Sequence, residues 1–437
     1  MRKRTYAVVG TGGRAADFIE PMVSDYRDEA ELLGFCDTSQ VRMDYYRNRL
    51  KKEYAYEGIH TYLANDFEKM LDELHPDVVI ICTIDRFHHE YIIKAINKGC
   101  DVVCEKPITI DDEKCRAILS ASGLARQNIR ITFNVRRAPL STMVKKMITE
   151  GKIGEVKHIH YEAIGGILHG GRYFGRWHGN KENSGGLVVH KSTHHFDLAN
   201  WWCDSIPAEV FAYGSMAYFG RENALRRGQN AWTENARYTG AAEPEKNPFH
   251  IDLNDSDMTK NLYMAAEEET GYIYDRNAFR DDVDIEDTLS VMVRYRNGVL
   301  LNYSYIAYSS WAGYRVNITG DRGRLEYEQV VRPPNSQESS LAAQTLTYLP
   351  LFQDAQIIDI PKVEGKHGGG DPRIQEQVFS LHPPVDPYGR SAGCEQGIAS
   401  AIIGIAANRS MAENRPVQIK DLIDLQPKTK SLHELIR

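Results

Sequence analysis

The stretch HKSTHHFD, residues 190–197, places three histidines and a carboxylate within eight residues. On one continuous helix His190, His194 and Asp197 fall at i, i+4 and i+7 and share a face, with His195 about a hundred degrees away. Imidazole titrates near working pH, so such a face suits proton transfer. Histidines four apart are also metal-ligand spacing, but HKSTH lacks the glutamate of HExxH and no metal is expected. The bland alternative is a structural cluster whose rings bond backbone or solvent. Just upstream, HGGRYFGRWHGNKENSGG (169–186) supplies Arg172, Tyr173, Arg176, Trp177, His178 and Asn180. Aromatic faces stack on the C–H faces of sugar rings and forked donors bind hydroxyls or carboxylates. Arg176, Trp177 and His178 are therefore substrate-contact candidates, whereas Trp201 and Trp202 are expected in the core.

Something must position these groups, and the first hundred residues alternate strand and helix. YAVVGTGGRAADFIEPM (6–22) is a short apolar run, a glycine turn and a helical pattern. Gly10, Gly12 and Ala15 fit GxGxxA: Gly10 permits the tight turn, Gly12 lets backbone approach a pyrophosphate, and Ala15 allows close helix packing. Thr11, Gly13 and Arg14 complete this expected cofactor turn. The next strand, ELLGFCD (31–37), ends in Asp37, 27 residues after Gly10, about where an acid bonds the adenosine ribose hydroxyls. A carboxylate there favours NAD, because the 2′-phosphate of NADP would meet like charge; nearby Arg42 keeps NADP open. DVVIICT (77–83) and DVVCEKP (101–107) continue the alternation and predict a parallel sheet. Thr83, Asp85, His88, Glu105 and Lys106 sit at strand C-terminal ends, where such sheets bind ligands. Thr83, His88, Glu105 and Lys106 join the cofactor candidates, and a lysine there can also polarise a substrate hydroxyl.

The chain has 437 residues, 42% hydrophobic and 26% charged, with net charge −7. That length predicts two domains, and the charge gives no reason to expect nucleic acid or an anionic membrane. No apolar stretch serves as a signal or span, so a cytoplasmic protein with a small-molecule substrate is expected. The seven cysteines form no CxxC pair and are read as reduced. In the second half, 156–166, 287–308 and 314–328 show strand-like alternation, with RNG and GDRG as hairpin turns. Residues 220–286 are polar and aperiodic, a long insertion of the kind used as a lid or subunit contact. GKHGGGDPR (365–373) reads as a loop that approaches a ligand or links elements.

An ordered set of motifs resembles the Gfo/Idh/MocA family of nicotinamide-dependent oxidoreductases: GxGxxA, Asp37, Glu105-Lys106-Pro107, FNVRRAP (133–139), GKIGEV (151–156), Gly185-Gly186 with the His-rich segment, and NRPVQIKDL near the C-terminus. The resemblance covers essentially the whole chain. It implies an α/β protein: an NAD-binding Rossmann domain (1–134) with a parallel sheet, then a substrate-binding and oligomerisation α/β domain (135–437) with a large, mostly antiparallel sheet. It implies a homodimer or homotetramer. His194 matches the family's catalytic histidine, Lys106 its EKP lysine and Asp197 the trailing acid. The leading acid is replaced by His190, which is open to substrate contact or a role as extra base. Arg136 matches a substrate-side arginine or braces the domain hinge, and His195 and Asp197 are expected near substrate. The implied activity is NAD-dependent oxidation of a secondary hydroxyl of a sugar, glycoside or cyclitol. The alternative is a glycosidase that uses tightly bound NAD in an oxidation, elimination and reduction cycle.

Overall fold

In the computed structural model, which describes residues 2–332, 343–361 and 366–425, two sheets organise the chain. The first has strands β1 (Arg4–Val9), β2 (Ala30–Asp37), β3 (His60–Leu63), β4 (Val78–Ile81), β5 (Asp101–Cys104) and β6 (Ile129–Ile131). They pair in parallel in the order β3-β2-β1-β4-β5-β6. The unbroken apolar runs of β1 and β4 follow from this: Val78–Ile81 is buried throughout because helices cover both faces. Polar caps start those helices, Ser39 for Gln40–Tyr54 and Asp111 for Asp112–Leu124, each accepting a backbone N–H. The strand order reverses between β1 and β4, which opens a crevice beside Gly10. Gly10 has φ +84°, and a Cβ there would lie 2.7 Å from the backbone of Cys82 and Thr83. Only glycine fits that turn.

The second sheet contains β7 (Val156–Gly166), β8 (Pro207–Ser215), β9 (Thr288–Tyr295), β10 (Leu300–Ser309), β11 (Ala312–Gly320), β12 (Gly323–Arg332), β13 (Ala343–Pro350), β14 (Gln356–Ile357) and β15 (Val417–Gln418). Their order is β14-β13-β12-β11-β7-β10-β9-β8-β15, antiparallel except for the β7–β10 pair. Period-2 alternation sends Leu289, Val291, Val293 and Tyr295 inward and leaves the opposite face in solvent, with Tyr213 62% and Met292 53% exposed. The expected α/β class with one parallel and one mostly antiparallel sheet is the observed architecture.

The cores divide less simply than the sheets. Helix Cys394–Glu413, buried over most of its length, packs on β8 and helix Thr193–Cys203 and also on helix Asp112–Leu124 and β6. Ile131 of β6 pairs with Ala392. The expected loop at GKHGGGDPR is, from Lys366, a helix running to Phe379, residue 365 lying outside the described residues. Gly370 explains the correction: a Cβ there would meet the Asn134 carbonyl at 2.2 Å, so the glycine serves close helix packing and not a free loop. Ile374, Val378 and Phe379 enter the nucleotide-domain core beside Tyr6, whose hydroxyl donates to the Val378 carbonyl at 2.7 Å.

Arg136, in the turn Asn134–Arg137 that leads out of the first sheet, is fully buried. Its Nε and Nη2 each donate to an Asp197 carboxylate oxygen at 2.6 Å, and Nη1 donates to Gln396 at 2.9 Å. Of the two expectations for Arg136, this pairing matches the brace at the domain hinge, and Asp197, expected near substrate, is engaged by the same guanidinium. Removing one partner leaves a buried unpaired charge, which costs about 3–5 kcal/mol. Arg136→Met is therefore predicted to lose about that much stability in urea unfolding. A loss below about 1 kcal/mol, the scale of an exposed pair, would contradict the clamp.

Candidate active site

The glycine turn is built for a dinucleotide. Asp37 Oδ2 accepts the Thr11 N–H at 2.5 Å and its hydroxyl at 2.9 Å, while Oδ1 accepts the Ser39 N–H at 3.0 Å. The Tyr46 hydroxyl donates to the Gly12 carbonyl at 2.9 Å. Gly12 has no other-segment neighbour nearer than the Tyr263 hydroxyl, 3.7 Å from where a Cβ would sit. A glycine turn whose Gly13 N–H is capped by the Tyr263 hydroxyl at 2.8 Å, with a carboxylate at the end of the next strand, is the arrangement on which such folds hold a nicotinamide dinucleotide. Thr83, at the end of β4, lies against this turn.

Three cofactor candidates, Arg14, Glu105 and His88, have other partners. Arg14 Nε donates to Glu105 at 2.8 Å and Nη1 to Asp17 at 2.8 Å, so the guanidinium and Glu105 secure the base of the turn. Burial alone would raise the Glu105 carboxyl, but Arg14 and Lys106 outweigh it and hold the pKa below its usual value. His88 is fully buried, with Nδ1 2.8 Å from the Pro107 carbonyl and Nε2 3.1 Å from that of Thr83. That corrects its cofactor assignment: the ring ties together two strand ends.

Lys106 lies just past β5, and its Nζ donates to the His190 carbonyl at 3.2 Å and approaches His190 Nε2 at 3.5 Å. His190 Nδ1 is 2.6 Å from Asp85 Oδ2. With Nδ1–H donating to the carboxylate, the Nε2 lone pair faces the ammonium, giving one chain from Asp85 through His190 to Lys106. Burial pushes the Lys106 amine down to about 8 against the attraction of Asp85 and Glu105, and raises the Asp85 carboxyl against the attraction of Lys106. Burial first, then the charge of Lys106, lowers His190 well below the usual imidazole range, so it is a neutral ring.

The histidines do not share one helix face. Leu187–His190 ends in a turn through Lys191 and Ser192 before Thr193–Cys203 begins. His190 thereby points to Lys106 and Asp85, whereas His194 is buried with its ring edge-on to Phe133, centroids 6.0 Å apart. His195 corrects another expectation. Its Nδ1 meets the Tyr303 hydroxyl at 2.8 Å and its ring packs on Tyr161 and Tyr314, so it belongs to the aromatic core under the sheet and not to the substrate side.

The preceding segment, expected as a loop, is the helix Ile167–Gly175 followed by the helical turn Trp177–Gly179, and it converges on His190. His178 lies 4.5 Å from the His190 ring and stacks on Trp177 at 3.7 Å, with Tyr173 edge-on to both histidines. Arg176 lies 4.0 Å over the ring of Tyr274. Buried His178 Nδ1 and Arg176 Nε have no hydrogen-bond partner among the described residues, which suits a polar ligand. Trp201 and Trp202 are core, as expected. Asp85 was legible only as a strand-end acid, and Tyr263 and Tyr274 carried no signal at all, because their contacts are made between segments far apart in the chain.

Residues 4–130 match the family model described as the NAD-binding Rossmann fold of an oxidoreductase family, and residues 145–419 match its C-terminal alpha/beta domain. Over 421 residues the chain is 33% identical to YteT of Bacillus subtilis (strain 168), named as an oxidoreductase without a stated substrate, covering 94% of this chain and 96% of that protein. A D-glucoside 3-dehydrogenase of Escherichia coli (strain K12) is 28% identical over 34% of this chain and 40% of its own length. An inositol 2-dehydrogenase of Rhizobium meliloti (strain 1021) is 31% identical over 31% and 39%. Among solved structures, the WlbA dehydrogenase of Chromobacterium violaceum, in complex with NADH and UDP-GlcNAcA, superposes with TM-score 0.62 at 18% identity over 96% of each chain, a likeness of fold. With both domain models matched in order, this chain belongs to the Gfo/Idh/MocA family of oxidoreductases.

Proposed function

We propose that the protein is an NAD-dependent dehydrogenase that oxidises a secondary hydroxyl of a sugar, glycoside or cyclitol. The observation that carries this reading is the Asp85–His190–Lys106 chain at the C-terminal ends of β4 and β5, beside the glycine turn. NAD, held by Gly10, Thr11, Gly12, Gly13, Asp37 and Thr83, supplies the hydride acceptor when bound. Lys106 orients the substrate oxygen and stabilises negative charge on it. His194 receives the hydroxyl proton. His190 holds Lys106 in place and passes to it the influence of Asp85, in place of the acid that family members carry at that position. Arg176, Trp177 and His178 line the substrate side: stacked aromatic faces for ring C–H groups, and unpartnered ring and guanidinium nitrogens for hydroxyls.

The redox-cycling glycosidase is the second reading, favoured by one observation: His190, backed by Asp85, is an imidazole beside Lys106 additional to His194. Elimination of the aglycone from C1 after transient oxidation of C3 needs an additional base to remove the C2 proton, and the hydride held on the cofactor then reduces the ring again. A panel of sugars, cyclitols and aryl glycosides, assayed for NADH and aglycone in the same samples, separates the readings. NADH rising with substrate loss supports the dehydrogenase; aglycone without net NADH supports the cycle. Tyr213, Met292 and Leu300 on the outer sheet face support assembly as a homodimer or homotetramer.

Lys106→Met is predicted to lower kcat/KM about a hundredfold to a thousandfold while NADH still binds, as read by fluorescence titration; unchanged turnover would sink the assignment. The ammonium is the form that works, so activity is predicted to fall as pH rises through about 8. The Asp85 carboxylate raises the Lys106 pKa, so Asp85→Asn should move that alkaline limb to lower pH and reduce kcat/KM about tenfold to a hundredfold. A limb that stays in place in the variant would break the link between the two residues.

A further inference from the structure

The insertion reaches the far end of the cofactor cradle. Leu262, fully buried, packs in the nucleotide-domain core. Tyr263 accepts the Gly13 N–H at 2.8 Å through its hydroxyl. The segment then turns through the short helix Glu267–Thr270 and brings Glu269 onto the residues that follow Asp37. Glu269 Oε2 accepts the Ser39 hydroxyl at 2.5 Å and the Val41 N–H at 3.1 Å.

That position has a defined meaning in a dinucleotide-binding fold. The adenosine ribose lies at the end of the second strand, where an acid bonds its hydroxyls, and a 2′-phosphate there needs hydroxyl and N–H donors with an arginine to hold its charge. The required groups are present in this chain, and the insertion engages them. Glu269 holds the Ser39 hydroxyl and the Val41 N–H. Arg42, whose side chain is only 12% exposed, donates from Nε to the Leu262 carbonyl at 2.8 Å, with its guanidinium 5.4 Å from the Tyr263 ring centroid. Arg42 is thus shared between the insertion and Asp37, whose Oδ1 lies 3.9 Å from its Nη1, and the Glu269 carboxylate occupies the Ser39 hydroxyl and Val41 N–H that a phosphate would use.

We infer that Glu269, delivered by the insertion, excludes the 2′-phosphate and so restricts the protein to NAD. The inference rests on the reading that this cradle holds a nicotinamide dinucleotide. Asp37 favours the ribose diol from within the nucleotide domain; Glu269 adds a second negative charge from outside it and removes the donors a phosphate would use.

The test is fluorescence titration of the purified full-length protein with NADH and with NADPH, at fixed ionic strength, for wild type, Glu269→Gln, Glu269→Ala and the charge-matched control Glu268→Gln. Wild type is expected to bind NADH at least about tenfold more tightly than NADPH. Both Glu269 variants should gain about tenfold in NADPH affinity with NADH affinity within about twofold of wild type, and Glu268→Gln should change neither. NADH binding in each variant shows that it is folded. Wild-type protein that binds the two equally, or Glu269 variants whose NADPH affinity does not move, would overturn the role of Glu269 and leave the dinucleotide site intact. Failure of wild type to bind either one would overturn the cofactor reading itself, and this inference with it.

Discussion

A lysine ammonium kept inside a protein must be compensated, and the centre of this molecule is arranged around that demand. Neighbouring Glu105 is hydrogen-bonded to Arg14 and acts on Lys106 only by its charge. The compensating carboxylate comes from the end of the adjacent strand, through the ring of His190. A neutral imidazole between a carboxylate and an ammonium relays hydrogen bonding in one direction, so its tautomer follows from its neighbours. The carboxylate charge is thereby set back from the ammonium by one ring and supplied by Asp85.

For this to work, a residue at the end of a strand in the first domain and one on a broken helix in the second must hold their places to within a fraction of an ångström. The junction provides that. Arg136 and Asp197 form a buried two-pronged pair, Gly370 lets a helix press on the Asn134 carbonyl, and helix Cys394–Glu413 packs against elements of both sheets. None of these residues touches the reacting groups. Their part is to keep the two sheets in one register.

Period and punctuation made the architecture readable. Apolar runs closed by Asp37, Asp85 and Glu105-Lys106 mark the strand ends, and period-2 alternation marks the second sheet. The site was readable to the extent that it lies at those ends. What the spacing of His190, His194 and Asp197 could not reveal was the break at Lys191 and Ser192, because no glycine or proline marks it. With the helix broken, Asp197 turns to Arg136 and His195 to Tyr303. The roles of Glu269 and Tyr263 were invisible for a different reason: contacts across more than two hundred residues leave no local pattern.

The stitched junction has a mechanical consequence. In many two-domain enzymes a cleft closes by rotation about a hinge. Here the hinge segment carries a buried ion pair and a backbone packed against a glycine helix, so rotation would have to break both. The segment around Leu262, Tyr263 and Glu269 meets the nucleotide domain through one buried leucine and a handful of hydrogen bonds. Resistance to opening is therefore unequal: parting the sheets at the junction would strand buried charges, whereas parting the insertion from the glycine turn would expose one leucine and a few hydrogen bonds to water.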